Sequence, residues 1–236
     1  YRTPHPLATE VDREQVREAL KRVTSLELLM AENTRGILYL EGTTDFDLLK
    51  AWAGVLEHPL AQWFNLLPFW HNNQGRNPKE ARAHFFALKA VRPGLQAALL
   101  LDGDNRNLPD REIITDGLIL LRWERYEAEN YLLHPDSLAR FLASEKGPLF
   151  AQPALDYLRE QLPPAFFHAP LETSAFLRAE PASKTLLPDL LSRAGLSISK
   201  SEYFLLAQQM KREEIPAEVK DKLDAIYALV KPLGPV

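Results

Sequence analysis

Four acidic residues stand where a nucleic-acid or phosphate chemistry would want them. Glu41 closes the apolar run Ile37-Leu38-Tyr39-Leu40, and Asp45 follows four residues later. Asp102 and Asp104 close a second apolar run, Leu95 to Leu101, in the turn Asp102-Gly103-Asp104-Asn105-Arg106-Asn107. Hard divalent cations such as magnesium prefer carboxylate oxygens and keep several waters, so a pair of carboxylates on one turn makes half a coordination shell. Taken singly, Asp-Gly-Asp-Asn is also an ordinary solvated turn, and Glu-Gly is weaker still. The combination carries more, because both acidic motifs follow apolar runs in the same order.

Those runs must be strands if the acids are to converge. Ile37 to Leu40 reads as a buried strand of a parallel sheet, ended by Gly42. Thr43 or Thr44 is placed to cap a helix over Asp45 to Leu56. Trp63 to Trp70 reads as a second strand, ending in His71-Asn72-Asn73-Gln74-Gly75. Pro78 opens a helix to about Val91. Leu95 to Leu101 and Ile113 to Leu121 are further strands, and Val11 to Met30 precedes them all as an amphipathic helix. The alternation of strand and helix argues an α/β fold with a mostly parallel sheet. In such sheets ligands bind beyond the carboxyl ends of the strands, where all four acids fall.

After Pro135 the pattern changes to helices, over Pro153 to Gln161, Lys184 to Ala194, Ser201 to Arg212 and Pro216 to Val230, with proline-rich breaks between them. The expected division is therefore a helical lead-in over 1–34, a core over 35–135, and a helical subdomain with C-terminal core elements over 136–236.

Bulk composition narrows the chemistry. The chain has 236 residues, 46% hydrophobic and 25% charged, with a formal net charge of -4 and a mean hydropathy of -0.24. A general nucleic-acid coat protein would be basic, but metal-binding carboxylates lower the formal charge where bound ions restore it. There is no cysteine, which excludes disulfides, thiolate zinc sites and cysteine nucleophiles. The six histidines give no His-x-His or His-Glu-x-x-His spacing, and there is no Gly-x-Ser-x-Gly elbow or Gly-x-x-x-x-Gly-Lys-Ser/Thr phosphate loop. No stretch reaches the roughly 18 apolar residues of a membrane helix. A cytoplasmic setting and a chain cut from a longer protein are expected. Trp52, Trp63, Trp70 and Trp123 read as core.

Leu38-Tyr39-Leu40-Glu41-Gly42-Thr43-Thr44-Asp45, followed by Leu99-Leu100-Leu101-Asp102-Gly103-Asp104, resembles the Toprim domain of topoisomerases, primases and several nucleases. Glu127-Ala128-Glu129-Asn130-Tyr131-Leu132 resembles the Glu-Asn-Tyr-Leu segment of the OLD (overcoming lysogenization defect) nucleases. The match runs over roughly residues 35 to 135. It implies a Rossmann-like, mostly parallel sheet flanked by helices with an added helical subdomain, and a divalent-metal-dependent DNA endonuclease using two ions. By position Glu41, Asp102 and Asp104 would hold one ion. Asp45 with Glu129, or Glu127 in its place, would hold the other. The ions would be Mg2+ or Mn2+, with Ca2+ as a non-catalytic occupant, set ~3.5–4 Å apart to serve the attacking and leaving oxygens.

The resemblance further implies a lysine that neutralises charge at phosphorus, with Lys200 first and Lys184 second. Arg106, Arg122 and Arg125 are candidate DNA contacts, each with a surface-arginine alternative, and His71 is a loop residue that could approach a metal or phosphate. Full OLD proteins join an ATPase domain to the Toprim part, so any ATP dependence would reside outside this sequence, and the full-length protein would be a candidate homodimer. The alternatives are a primase or topoisomerase fragment, or a catalytically silent α/β interaction domain. Tyr126 and Tyr131 are read as packing residues, not as a topoisomerase nucleophile.

Overall fold

The computed structural model describes residues 23–230 apart from 67, 74–77, 105–110 and 116. Its centre is a five-stranded sheet in the order β2-β1-β3-β5-β4. The strands are β1 (Gly36–Leu40), β2 (Trp70–Asn72), β3 (Gln96–Leu101), β4 (Arg111–Thr115) and β5 (Leu118–Arg122). All neighbours are parallel except β4 and β5, which form an antiparallel edge. Between the strands run α1 (Ser25–Asn33), α2 (Thr43–Val55), α3 (Leu60–Asn65) and α4 (Lys79–Val91). A 3₁₀ turn at Ala128–Leu132 leads into α5 (Pro135–Lys146), α6 (Pro148–Gln161), α7 (Pro164–His168), α8 (Ala175–Ala179), α9 (Leu186–Arg193), α10 (Phe204–Gln209) and α11 (Ala217–Val230).

Alternation along the strands builds a core on each face, because successive strand side chains point to opposite sides. Leu38, Leu40, Ala98, Leu100 and Leu121 face Leu48 and Trp52 of α2 and Leu223 and Ile226 of α11. Ile37, Tyr39, Ala97, Leu99, Leu101 and Leu120 face Ala31 of α1 and Phe85 and Leu88 of α4. A strand buried on both sides has no polar face, which is why β1 and β3 read as unbroken apolar runs. The helices after Pro135 join the first of these cores, and α11 returns to the start of β1. There a Cβ on Gly36 would lie 2.7 Å from the Leu229 carbonyl oxygen, so only glycine admits the crossing.

Five expectations are corrected. Residues 11–22 of the expected N-terminal helix lie outside the described residues. Its described part does not run on through Thr24: Thr24 is extended and starts a fresh helix. Its hydroxyl accepts from the Glu27 N–H at 3.2 Å, and the Glu27 carboxylate accepts from the Thr24 N–H at 2.7 Å. The apolar stretch expected as a strand from Trp63 is helical up to Asn65. Leu60, Trp63 and Phe64 are all buried, at helical and not alternating spacing, and the strand occupies only Trp70–Asn72. Ile113 to Leu121 is a hairpin of two strands, turned at Gly117 with φ +85°. The helix α2 is capped by Asp45, not by Thr43 or Thr44: its carboxylate accepts from the Gly42 N–H at 2.9 Å. The helix expected over Ser201 to Arg212 is broken into a 3₁₀ turn at Lys200–Glu202, α10, and another at Arg212–Glu214. Among the described residues no helix is long and apolar enough to cross a membrane.

Candidate metal centre

The parallel pairing of β1 with β3 sets their carboxyl ends side by side. Glu41 leaves β1 and Asp102 leaves β3, and the Glu41 Oε1 accepts from the Asp102 backbone N–H at 2.9 Å. Asp102 Oδ1 in turn accepts from the Ala128 N–H at 3.2 Å, which draws the 3₁₀ turn after β5 to the same edge. Asp45 points back to the site from the first turn of α2. The turn then delivers two more carboxylates. Glu127 is 3% exposed and its Oε1 accepts from the Ser183 N–H at 2.5 Å. Glu129 is 1% exposed, with Lys200 Nζ 2.7 Å from its Oε1. Among the described residues its Oε2 is buried without a hydrogen-bond donor. Lys200 Nζ also donates to the Ser183 hydroxyl at 3.4 Å.

The electrostatics couple these groups to one another. Burial first, then the negative fields of Glu129 and Glu41, raise the Asp45 carboxyl to about 7, with Lys200 and the Gly42 N–H only partly opposing them. Asp102 is raised well above the usual carboxylate range, by burial first and then by Asp45, Glu41, Glu129 and Glu127. Burial and Glu129 also raise Glu127, against the pull of Ser183 and Lys200. Burial alone would lower Lys200, but Glu129, Glu127 and Asp102 outweigh it and hold its ammonium above the usual range. Tyr203, buried beside the pair, is raised by burial and by Glu129. The carboxyl groups of Asp45, Asp102, Glu127 and Glu129 therefore crowd about the Lys200 ammonium, with Glu41 beside Asp45 and Asp102. Like charge nearby disfavours the ionised forms of Asp45, Asp102 and Glu127.

The backbone fixes the spacing of the acidic turn. A Cβ on Gly103 would fall 1.9 Å from the Arg125 carbonyl oxygen and 2.5 Å from that of Trp123. The residue between Asp102 and Asp104 must therefore lack a side chain. Asp104 follows on the same turn, part-buried.

The structure thus brings together Glu41, Asp45, Asp102, Glu127, Glu129 and Lys200. It does not bring Lys184 to them: that residue is exposed and lines a separate cleft with Tyr157, Glu180 and Asp189. Arg106 lies outside the described residues. The expectation that Arg122 and Arg125 meet DNA is corrected, because both are buried, at 7% and 0% exposed. Arg122 donates to the Gly103 carbonyl at 3.3 Å. Arg125 sits over the Tyr131 ring at 4.7 Å and donates to the carbonyls of Asn130, Pro170, Leu171 and Glu172 at 3.0 to 3.3 Å. Asn130 donates to the Leu177 and Glu180 carbonyls. Tyr131 is 1% exposed and hydrogen-bonded to Glu218, a packing role. His71 joins Glu27 and His84 in a different cluster. Sequence reasoning missed Ser183, which anchors both Glu127 and Lys200, and no local motif marks it.

No family model matches the sequence, nor does any curated protein. Solved structures similar to this chain include the C-terminal region of the Xanthomonas campestris pv. campestris OLD protein. It is 17% identical with a TM-score of 0.42, over 86% of this chain and 95% of that one. The C-terminal region of the Burkholderia pseudomallei OLD protein is 16% identical with a TM-score of 0.41, over 83% and 98%.

Proposed function

We propose that this chain is the Toprim-bearing nuclease part of an OLD family ATPase-nuclease, and that it nicks or cleaves DNA with divalent metal. The observation that carries the reading is the crowding of Glu41, Asp45, Asp102, Glu127 and Glu129 around one ammonium at the carboxyl ends of β1 and β3. Mutual repulsion of buried carboxylates is relieved by a cation, and an all-oxygen donor set suits magnesium or manganese. The bare Glu129 Oε2 is a further ligand atom without a protein partner among the described residues.

Glu41, Asp102 and Asp104 would hold one ion and Asp45 with Glu129 the second, with Glu127 as the alternative to Glu129. When bound, such ions supply the Lewis acidity that activates water and stabilises the leaving oxygen. The protein's own part is positional. The Glu41 carboxylate and the Asp102 N–H lock the two strand ends together. Ser183 and Glu129 hold Lys200 as an ammonium at the rim, where it offsets charge on the phosphoryl oxygens. DNA would be the substrate, the ATPase domain would belong to the same full-length chain, and the setting would be cytoplasmic. The core would span about 35–135, with the helical subdomain behind it.

Plasmid nicking tests the reading. Magnesium- or manganese-dependent nicking is expected from the chain, and Asp102→Ala should lower it by about 100-fold or more. Metal-dependent nicking that survives this change overturns the site. Lys200→Ala should slow nicking while metal affinity stays within a few-fold, measured by calorimetry. No metal binding at all would favour a silent interaction domain.

A further inference from the structure

Glu27 of α1, His71 of β2 and His84 of α4 converge on the α1–α4 face of the sheet, apart from the carboxylate centre. One ligand atom from each lies within 4.8 Å of the others. Glu27 Oε1 is 3.2 Å from His71 Nδ1 and 3.2 Å from His84 Nε2. We propose that these three side chains form a second metal site, of the two-histidine, one-carboxylate class, which takes zinc or a similar transition-metal ion and seats α1 on the sheet.

The donor chemistry differs from that of the acidic centre. Imidazole nitrogens select zinc, copper, nickel or iron over magnesium. Zinc bonds of about 2.0–2.1 Å to nitrogen, in a tetrahedral shell, set donor atoms about 3.3–3.5 Å apart. The two 3.2 Å separations to Glu27 are close to such edges.

Two of the three ligands, His84 and Glu27, also have the supporting partner that metal ligands need. His84 Nδ1 is 2.9 Å from the Tyr39 hydroxyl, which fixes the ring and leaves Nε2 facing the cluster. The other Glu27 oxygen, Oε2, accepts from the Thr24 N–H and hydroxyl at 2.7 and 2.8 Å, which aims Oε1 inward. His84 is 5% exposed, and its Nε2 lies at hydrogen-bond distance from Glu27 but without hydrogen-bond alignment, a buried nitrogen unsatisfied among the described residues. The two imidazoles stack at 4.2 Å with planes 15° apart. Convergence of both lone pairs on one ion therefore needs one ring to turn. His71 is the ring able to do so, being 35% exposed on an edge strand, and its solvent side leaves a fourth position for water.

The test is zinc titration of the metal-stripped chain with millimolar magnesium present, read by the ¹⁵N resonances of the imidazole rings. The chain has six histidines, and His71→Gln and His84→Gln assign the two at issue. Zinc is expected to shift the His71 and His84 nitrogens and to raise the melting temperature. His71→Gln, the variant least able to harm folding, should weaken zinc by about tenfold or more. It should also lose the thermal gain. If zinc moves neither ring, or binds His71→Gln as it binds the parent chain, the cluster is only a hydrogen-bonded brace. The ring resonances separate this outcome from any behaviour of the carboxylate centre.

Discussion

Two buried polar knots lie side by side behind the carboxyl ends of the sheet, and they are built on opposite principles. Around Arg125, guanidinium N–H groups meet the carbonyls of Asn130, Pro170, Leu171 and Glu172, and the planar group lies on Tyr131. Around Asp102, carboxyl groups meet one another: burial and then Asp45, Glu41, Glu129 and Glu127 raise Asp102, and burial, Glu129 and Glu41 raise Asp45. The first knot is satisfied by the protein alone. In the second, burial and like charge hold Asp45 and Asp102 above the usual carboxylate range. A buried polar group that is fully matched speaks for structure; one held among like charges speaks for a ligand.

The sharpest break in this contrast is Arg125→Met. It strips several carbonyls of their donor at once and should destabilise the fold by about 3–5 kcal/mol, measured by chemical denaturation. A loss under about 1 kcal/mol would mean that the first knot is not structural.

Asp45→Asn should do the reverse. In the fold the Asp45 carboxyl titrates at about 7, against an ordinary value of 3.8. The folded chain therefore binds more protons than the unfolded chain between those values, and metal-free stability falls as pH rises from about 4 to 8. Asparagine keeps an oxygen for the Gly42 N–H but carries no charge. It should stabilise the metal-free chain by roughly 2–4 kcal/mol at pH 8 and flatten the slope, with little effect at pH 4. Thermal melts across that range check both points. Magnesium should act in the same window: its stabilisation should be larger at pH 8 than at pH 5, because protons compete for the same oxygens. Equal gains at both pH values would place the ion elsewhere.

The smallest effect is expected at a charge pair belonging to neither knot. Arg159 and Asp156 meet at 2.7 Å but are 60% and 54% exposed, and Arg159→Ala should change stability by about 0.5 kcal/mol or less.

What could be read from the sequence follows the same division. Glu41 and Asp102 were legible because each ends an unbroken apolar run, and a buried parallel strand has nowhere else to put a carboxylate. Glu129 was legible only through its likeness to a known segment. Lys200 was expected ahead of Lys184, and the structure brings only Lys200 to the acids. Arg122 and Arg125 were misread because an arginine at the end of a strand looks the same in sequence whether it faces solvent or the carbonyls of another segment, Gly103 for Arg122 and Pro170 to Glu172 for Arg125. Distance in sequence also hid the Glu27–His71–His84 cluster. The apolar residues around Trp63 suit a short helix or a strand equally well, and burial of Leu60 with Trp63 and Phe64 decides between them.

Gly103 draws a last consequence from the two knots. Its missing side chain is the space through which the acidic turn rests on the backbone of Arg125 and Trp123. Laboratory selection acting on this turn would therefore find the position between Asp102 and Asp104 closed, and would have to exchange the acids themselves. The same contact makes the neighbouring arginine a remote tuning screw: variants that loosen its backbone would shift Asp102 and Asp104 without altering either of them.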